Sequence, residues 1–173
     1  MGILSGNPKN EPMHYGEVFG IWTYLATIKG LLVQYQTLMN HTGDADLRRL
    51  LEDATENMMK SEIGQIEKML KENGIGLPPS PPERPKASLE EIPVGARFND
   101  AEIAAAFAKD MSLGLISCSS IMGESIREDI ALMFGQFHAT KAQYGLRILR
   151  MNKEKGWLIH PPLHANVPEP AYS

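Results

Sequence analysis

Apolar residues recur at alternating steps of three and four along most of the chain, which is the spacing that lines one face of an α-helix. This pattern predicts four amphipathic helices, over residues 11–41, 44–73, 99–122 and 125–155. The second helix carries two apolar lines that are offset by one residue: Leu47, Leu51, Ala54 and Met58, then Met59, Ile63, Ile66 and Leu70. Only about three residues separate the first two helices, so we expect an antiparallel hairpin.

Capping signals support these boundaries. The predicted N-caps are Asn10, Asp44 and the first residues of two capping boxes, Asn99 with Glu102 and Ser125 with Glu128. Pro12 is tolerated in the first helical turn, where its missing N–H costs nothing. The predicted stops are the glycines that follow the apolar stripes, namely Gly43, Gly74, Gly123 and Gly156.

The stretch between the second and third helices has a different composition. Six of the twelve prolines fall in residues 74–98, where they exclude a regular helix. A connection of this length can run along a bundle of roughly 40 Å and return the chain to the opposite pole. We therefore predict an all-α, ferritin-like four-helix bundle with one long Pro-rich crossover, in which the first and fourth helices start where the second and third end. Four further prolines predict an irregular tail over residues 156–173 that packs back on the bundle.

The composition is that of a single folded domain spanning residues 1–173. The chain is 43% hydrophobic and 22% charged, and its one cysteine, Cys118, excludes a disulfide framework. A net charge of -4 leaves no basic surplus for binding nucleic acid. No apolar run reaches the roughly 18 residues of a membrane span, and the N-terminus lacks the features of a secretory signal peptide. We therefore expect a cytoplasmic protein without nucleic-acid or membrane partners.

A ferritin-like bundle raises the question of a metal centre. A carboxylate-bridged metal pair needs a Glu-x-x-His pair on each of two helices. Only Glu11 and His14 have that spacing, and they lie in the first turn of the first predicted helix. We therefore expect no metal pair and no bound cofactor, with a single metal ion as the alternative.

Three polar residues nevertheless interrupt the apolar faces at matching depths. Counted inward from the helix ends at about 1.5 Å per residue, Glu62, Asp110 and His138 all lie about 17 to 21 Å along the bundle. They are candidate ligands for a single metal ion or a small molecule at mid-bundle. The alternative is a structural set in which His138 donates a hydrogen bond to Asp110 or Glu62.

The crossover topology predicts a second polar cluster at one pole, formed by His14, Glu17, Glu67, Cys118 and Glu128. We take His14, Glu17 and Cys118 as its candidate site residues. Structural interpretations stay open beside this one. Glu17 and Glu128 suit a helix N-terminus, and Glu67 suits solvent. Cys118 lies on the apolar stripe of the third helix, where a packing thiol is expected.

The sequence contains no phosphate loop, dinucleotide fingerprint or zinc-protease motif. Because packing, capping and turn signals account for most of the chain, we expect a non-enzymatic protein that acts through protein contacts. Four apolar residues of the first helix lie off its main stripe: Phe19, Trp22, Tyr24 and Leu31. This spare apolar surface predicts a homodimer that uses the first helix.

Several stretches resemble a family of uncharacterised proteins from endospore-forming bacteria. They are Gly30-Leu-Leu-Val-Gln-Tyr-Gln-Thr with Asn40-His-Thr-Gly, Leu77-Pro-Pro-Ser-Pro-Pro-Glu-Arg-Pro, Arg127-Glu-Asp-Ile with Met133-Phe-Gly-Gln-Phe-His138, and Lys153-Glu-Lys-Gly-Trp-Leu-Ile-His-Pro-Pro. The resemblance covers nearly the whole chain. It implies a ferritin-like fold, a relation to the spore coat protein F group and a spore or stress context. The family carries no established activity, substrate or cofactor.

Overall fold

The computed structural model describes residues 11–162 and 164. This part of the chain contains four helices and no strands: α1 (Tyr15–His41), α2, α3 (Asp100–Glu124) and α4 (Glu128–Glu154). α2 consists of two α-helical pieces, Ala45–Asp53 and Lys60–Glu72, joined by a π-helical segment, Ala54–Met59. None of these helices is both long and apolar enough to cross a membrane. The predicted all-α bundle is confirmed, while the predicted cap Asn10 and most of the tail beyond residue 162 lie outside the described residues.

Contacts between helix ends define the first pole of the bundle. Here the starts of α1 and α4 meet the ends of α2 and α3. Arg127 Nη1 donates to Asn73 Oδ1 over 2.7 Å, and His14 Nε2 lies 3.1 Å from the carbonyl oxygen of Glu124. We call this end the α1/α4 pole.

The opposite pole fixes the direction of each helix. The end of α1 meets the start of α3, where Gly43 N donates to Asp100 Oδ1 over 3.0 Å. The start of α2 meets the end of α4, since Lys155 Nζ lies 2.7 Å from Asp44 Oδ2. α1 and α4 therefore run in one direction, and α2 and α3 run in the other. This is the predicted crossover topology.

The Pro-rich crossover runs along the side of the bundle, as the sequence predicts, and the structure places it against α1. Side chains of α1 hold its backbone in the contacts Trp22 Nε1–Gly76 O, Lys29 Nζ–Pro78 O, Gln36 Oε1–Arg84 N, Asn40 Nδ2–Pro85 O and Asn40 Oδ1–Ala87 N, all between 2.8 and 3.1 Å. Two short 3-10 turns, Leu89–Glu91 and Val94–Ala96, lead into α3. Extended proline-rich backbone makes no internal hydrogen bonds, so these α1 side chains supply the partners that regular structure would otherwise provide.

The π-helical segment of α2 coincides with the offset between its two apolar lines. Met58 and Met59 end one line and begin the next, and both are buried. A π turn adds one residue to the local helical repeat, so each half of α2 keeps its own apolar line toward the core. The prediction of one regular helix missed this segment, although the register change in the sequence is its signal.

The predicted start of α1 at residue 11 is wrong, because His14 is the N-cap. His14 Nδ1 accepts a hydrogen bond from Gly16 N at 3.0 Å, and the Glu17 side chain accepts one from His14 N at 3.1 Å. This reciprocal capping box holds His14 in an extended conformation. The helix therefore begins at Tyr15.

The predicted Ser125–Glu128 capping box is also wrong. The N-cap of α4 is Arg127, whose side chain makes no capping bond to the helix. Ser125 belongs to the end of α3 instead, where its hydroxyl donates to the carbonyl of Ile121 over 2.6 Å. The backbone N–H groups at the start of α4 donate to the carboxylate of Glu17 instead.

The predicted stop at Gly123 is wrong, because α3 continues to Glu124 and its C-cap is Ser125. Two other predicted N-caps and two predicted glycine stops are confirmed. Asp44 caps α2, and Asn99 with Glu102 forms the capping box of α3. Gly74 and Gly156 follow α2 and α4 with φ of 72° and 71°, a conformation that glycine adopts without a steric penalty.

Candidate functional site

One polar or sulfur-bearing side chain from each helix meets near the middle of the bundle. Tyr24 of α1, Glu62 of α2, Cys118 of α3 and Lys141 of α4 are all buried, and we call them the cross-bundle cluster. Glu62 and Lys141 are only 2% and 4% exposed, so both charges are removed from bulk water. Burial of charge at this depth requires close pairing.

Glu62 is the centre of the hydrogen bonds in this cluster. Lys141 Nζ donates to both carboxylate oxygens, at 2.5 Å from Oε1 and 2.6 Å from Oε2. Tyr24 Oη donates to Oε2 over 2.7 Å and lies 3.6 Å from Cys118 Sγ. Lys141 Nζ also lies 5.5 Å from the centre of the Tyr24 ring, a distance typical of a cation–π contact. The negative charge of Glu62 is therefore balanced by the Lys141 ammonium, and the Tyr24 phenol adds a hydrogen bond.

Burial controls the ionisation of the cluster. Desolvation raises the pKa of Glu62 above its usual value, while the charge of Lys141 opposes that rise. Desolvation also raises the pKa of Tyr24 and the pKa of the Cys118 thiol. At neutral pH Tyr24 is therefore a phenol and Cys118 is a thiol, so neither group is an activated nucleophile.

A glycine of α3 makes room for the Lys141 side chain. A Cβ atom at Gly114 would lie 2.7 Å from both Cδ and Cε of Lys141, closer than such atoms approach. Lys141 lies on the apolar stripe of α4, between Phe137 and Tyr144. That position is the signal that sequence reasoning missed, since a lysine on such a stripe usually extends its ammonium to solvent.

A cavity of about 400 Å³ opens between α1 and α3 beside the cluster. Much of its wall is apolar and includes Ile28, Leu31, Met58, Met59, Met111 and Ile121. Tyr24 and Lys141 also line the cavity, and because both are buried they form its inner wall. Phe19 and Leu113 are exposed and lie at its rim. Cavities of this size with a few inward polar groups are typical of small-molecule sites.

The structure separates the three residues predicted as a mid-bundle site. Glu62 belongs to the cross-bundle cluster, whereas Asp110 accepts a hydrogen bond from Tyr35 Oη over 2.5 Å. His138 is half-buried on α4, and its predicted hydrogen bond to Glu62 or Asp110 is not formed. Among the residues that the structure describes, no group of three or more His, Cys, Asp or Glu side chains could hold a metal ion. The cation beside Glu62 is the Lys141 ammonium, in the position where a metal site would need a metal ion.

The second predicted cluster is also divided. His14 and Glu17 do lie together at the α1/α4 pole, with His14 Nε2 3.8 Å from Glu17 Oε2. Cys118 lies in the cross-bundle cluster instead, because it is about 9 Å of helix rise away from the end of α3. Glu67 pairs with a lysine of α1 at 2.7 Å, and Glu128 is exposed in the first turn of α4.

Glu17 supplies the cap that was predicted for Ser125. Its Oε1 accepts hydrogen bonds from Ile126 N at 2.9 Å and Arg127 N at 3.1 Å, and its Oε2 accepts from His14 N at 3.1 Å. These N–H groups lie at the starts of α4 and α1, where free backbone donors are concentrated. A carboxylate of α1 therefore caps the N-terminus of α4.

The apolar surface predicted on the first helix is smaller than expected. Tyr24 is buried in the cluster, and Leu31 is half-buried against the core. Phe19 is 74% exposed, and Trp22 is 37% exposed because the crossover covers part of it. Tyr15, four residues before Phe19, is 95% exposed. Tyr15, Phe19 and Trp22 therefore form what we call the exposed stripe of α1.

Comparisons with known proteins agree with this architecture. The "Uncharacterized protein YvdQ" of Bacillus subtilis (strain 168) is 56% identical over 164 residues, which are 95% of this chain and 96% of that protein. The crystal structure of a "putative spore coat protein" from Bacillus halodurans C-125 matches with a TM-score of 0.91 and 56% identity, over 92% of this chain and 100% of that one. The family described as "Protein of unknown function (DUF3231)" matches residues 1–169. The resemblance to an uncharacterised family of spore-forming bacteria is confirmed, and the chain belongs to the DUF3231 family.

Proposed function

We propose that the protein is a non-enzymatic helical bundle that acts through protein contacts in a spore-related setting. The observation that carries this proposal is the exposed stripe of α1. Large apolar side chains grouped on one face are typical of interaction surfaces. Tyr15 is almost fully exposed, and Phe19 is largely exposed. The printed description of the Bacillus halodurans relative, a "putative spore coat protein", supports the spore setting.

The partner that we propose for this stripe is a second copy of the chain. Tyr15, Phe19 and Trp22 are separated by four and three residues, so they lie on one line along α1. A two-fold axis across that line brings the same apolar surface of two copies together. Such self-complementary contacts are the commonest form of association among soluble oligomers.

Light scattering on a Phe19→Glu variant tests the self-association. We expect the native protein to have twice the monomer mass of 19.2 kDa. The variant should have the monomer mass, because a carboxylate without a partner is costly to bury. Leu132→Glu is the matched control, since Leu132 is an exposed leucine on α4. A native protein that stays monomeric on concentration, or a dimer that survives Phe19→Glu with its helicity intact, contradicts the proposal.

Spore association is tested by expressing the tagged chain in sporulating Bacillus cells. We expect the native chain in the coat extract of purified spores and less of the Phe19→Glu variant, because assembly requires the exposed stripe. Recovery of both chains at the level of an unrelated tagged helical bundle contradicts the spore-related role.

The topology supports a relation to ferritin-like folds, which bears on metal binding. Ferritin-like carboxylate proteins hold two metal ions at mid-bundle with Glu and His side chains from four helices. Here the inward residues are the cross-bundle cluster, whose one carboxylate, Glu62, is paired with Lys141. A paired carboxylate, a phenol and a thiol do not fit a metal site of that kind. Elemental analysis of untagged protein should find far less than one equivalent of iron, manganese or zinc, and a full equivalent that is lost in Glu62→Ala would overturn this view.

A second candidate function is the binding of a small apolar molecule, which the cavity between α1 and α3 favours. This replaces the predicted ligand site at Glu62, Asp110 and His138, because of those three residues only Asp110 lines the cavity. The test is the uptake of nonane from the vapour phase, with Ser117→Phe as the variant that fills the cavity. We expect the native protein to take up nonane and Ser117→Phe to lose that uptake.

A further inference from the structure

The inner wall of the cavity carries a hydrogen-bond donor that the protein uses only in part. An ammonium has three N–H bonds. Within residues 11–162 and 164, the only acceptors of Lys141 Nζ are the two oxygens of the Glu62 carboxylate, so at least one N–H of the ammonium has no acceptor. Lys141 also lines the cavity while being 4% exposed. Because buried donors are nearly always paired, the third N–H is available to an oxygen atom in the cavity.

We propose that the cavity binds an elongated apolar molecule with one neutral oxygen acceptor, such as the carbonyl of a ketone or an ester, which accepts the third N–H of Lys141. This inference rests on the second candidate function and names the class of ligand. The apolar part of the molecule lies along the wall formed by Ile28, Leu31 and Met111.

The volume of the cavity limits the size of the ligand. A cavity of about 150 Å³ holds one benzene molecule. A volume of about 400 Å³ therefore holds roughly two to three times as many heavy atoms, which corresponds to chains of up to about twelve to eighteen carbons. Three methionines, Met58, Met59 and Met111, line the wall, and flexible thioether side chains adapt well to a flexible chain.

Charge complementarity favours a neutral acceptor. Lys141 on the inner wall is paired with Glu62, which does not itself line the cavity, so the charge of the lysine is already neutralised. The other carboxylate on this wall, Asp110, accepts a hydrogen bond from Tyr35. A carboxylate placed there would add an uncompensated negative charge to a site removed from water, and an alkylammonium would add a second cation beside Lys141. A carbonyl oxygen accepts the hydrogen bond without adding charge.

The test compares the uptake of nonane and 2-nonanone by headspace gas chromatography. The comparison is made in a Tyr24→Phe background, with and without the double variant Glu62→Leu with Lys141→Met, which removes the Lys141 donor. Tyr24→Phe is needed because Tyr24 lines the same cavity and its hydroxyl would lose its acceptor together with Glu62. Replacing a buried ion pair by apolar residues of similar volume is often tolerated. We expect the ratio of 2-nonanone affinity to nonane affinity to fall about tenfold in the double variant, because only the ketone loses a hydrogen bond. By calorimetry, nonanoate should bind the native protein more weakly than 2-nonanone does.

Two variants on α3 locate the binding. Ser117 lines the cavity, so Ser117→Phe should abolish the uptake of both probes. Ser119 is exposed and does not line the cavity, so Ser119→Phe should leave the uptake unchanged. If circular dichroism shows that the double variant does not fold, Glu62→Met with Lys141→Leu gives the same comparison.

The outcomes separate the ligand class from the binding function. An unchanged affinity ratio in the double variant, or nonanoate binding more tightly than 2-nonanone, overturns the carbonyl inference and leaves ligand binding in place. Failure of the native protein to take up either probe, or uptake that Ser117→Phe does not affect, overturns both. A native dimer that Ser117→Phe converts to a monomer also overturns both, because a second copy then occupies the cavity.

Discussion

Two carboxylates of this bundle are equally buried but are stabilised in opposite ways. Glu17 at the α1/α4 pole and Glu62 at mid-bundle are both 2% exposed. Glu17 accepts hydrogen bonds from three backbone N–H groups, whereas Glu62 accepts its bonds from the side chains of Lys141 and Tyr24. Backbone donors are always present at a helix start, but a side-chain donor disappears with one substitution. The mid-bundle site therefore depends on its neighbours far more than the pole does.

The two regions also differ in how completely their polar groups are used. At the pole the Arg127 guanidinium binds Asn73, Asp129 and the carbonyl of Glu11, which ties α4 to the end of α2 and the start of the described chain. At mid-bundle Lys141 borders a cavity, and in the described part of the chain its only acceptors are the two oxygens of Glu62. The Arg127 network at the pole therefore serves to hold the helices together. The Lys141 ammonium beside the cavity can also donate a hydrogen bond to a bound ligand.

Breaking the mid-bundle pair from one side should give the largest effect. Lys141→Met leaves the Glu62 carboxylate buried without its cation, and we expect the free energy of unfolding to fall by about 4 kcal/mol. Urea denaturation measures the loss. Lys153→Met, an exposed lysine on the same helix, should change stability by less than about 0.5 kcal/mol. Adding Glu62→Leu to Lys141→Met should restore most of the loss, and no restoration would contradict the role assigned to the unpaired carboxylate.

Removing the carboxylate at the pole should cost somewhat less. Glu17→Ala leaves the N–H groups of His14, Ile126 and Arg127 without their acceptor, and we expect a loss of about 3 kcal/mol because water reaches part of this pole. Glu128→Ala is the control, since Glu128 is exposed and does not cap α4. Equal effects of the two variants in urea denaturation would show that Glu17 is not the cap.

The space beside Lys141 allows a third, smaller test. Gly114→Ala places a methyl group against the Lys141 side chain, and we expect a loss of about 2 kcal/mol from overpacking. Gly123→Ala on the same helix meets nothing within 4 Å and should stabilise the protein by up to about 1 kcal/mol. Thermal unfolding followed by circular dichroism gives both values. A gain in stability from both substitutions would mean that the Lys141 side chain moves aside at no cost.

The smallest effect is a difference in pH dependence between the two regions. The hydrogen bond from the Arg127 guanidinium holds the pKa of Asp129 below its usual 3.8. Its carboxylate therefore contributes stability above pH 3.8, and this contribution is lost as the pH falls through the folded-state pKa. Burial raises the pKa of Glu62 above its usual 4.5, so stability is lost as the pH rises from 4.5 through the folded-state pKa.

Thermal midpoints of the native protein, Asp129→Asn and Glu62→Gln measure this difference between about pH 3 and pH 7. The advantage of the native protein over Asp129→Asn should grow as the pH rises from about 3 to 5 and then stay constant. Its advantage over Glu62→Gln should shrink as the pH rises above 4.5. Parallel curves for the two variants would contradict the opposite pKa directions.

Local signals in the sequence account for most of the fold. Apolar spacing predicts all four helices, and the prolines between Gly74 and Phe98 predict the crossover. Its path along α1 comes from the structure. The failures at helix starts have a common cause. The capping group of α1 is the imidazole of His14, which is not a usual capping side chain. The capping group of α4 is the carboxylate of Glu17, which belongs to α1 and takes the role predicted for Ser125.

The candidate site was predicted less well, because depth along a helix is not the same as direction around it. Counting residues from the helix ends places Glu62, Asp110 and His138 at similar depths, but it leaves the rotation of each helix undetermined. The structure turns Asp110 toward Tyr35, and Glu62 meets Lys141. Lys141 was recognisable only from its place on an apolar stripe.

The amino-acid sequence by itself determines the helices, the crossover and the membership of an all-α bundle, because hydrophobic spacing, caps and prolines act on neighbours in the chain. The sequence also contains the signal of the π-helical segment, which is the offset between the apolar lines that meet at Met58 and Met59. Only the tertiary structure decides which polar side chains meet at mid-bundle and where the cavity opens. Those features depend on the rotation and spacing of four helices, which many weak contacts between distant residues set together.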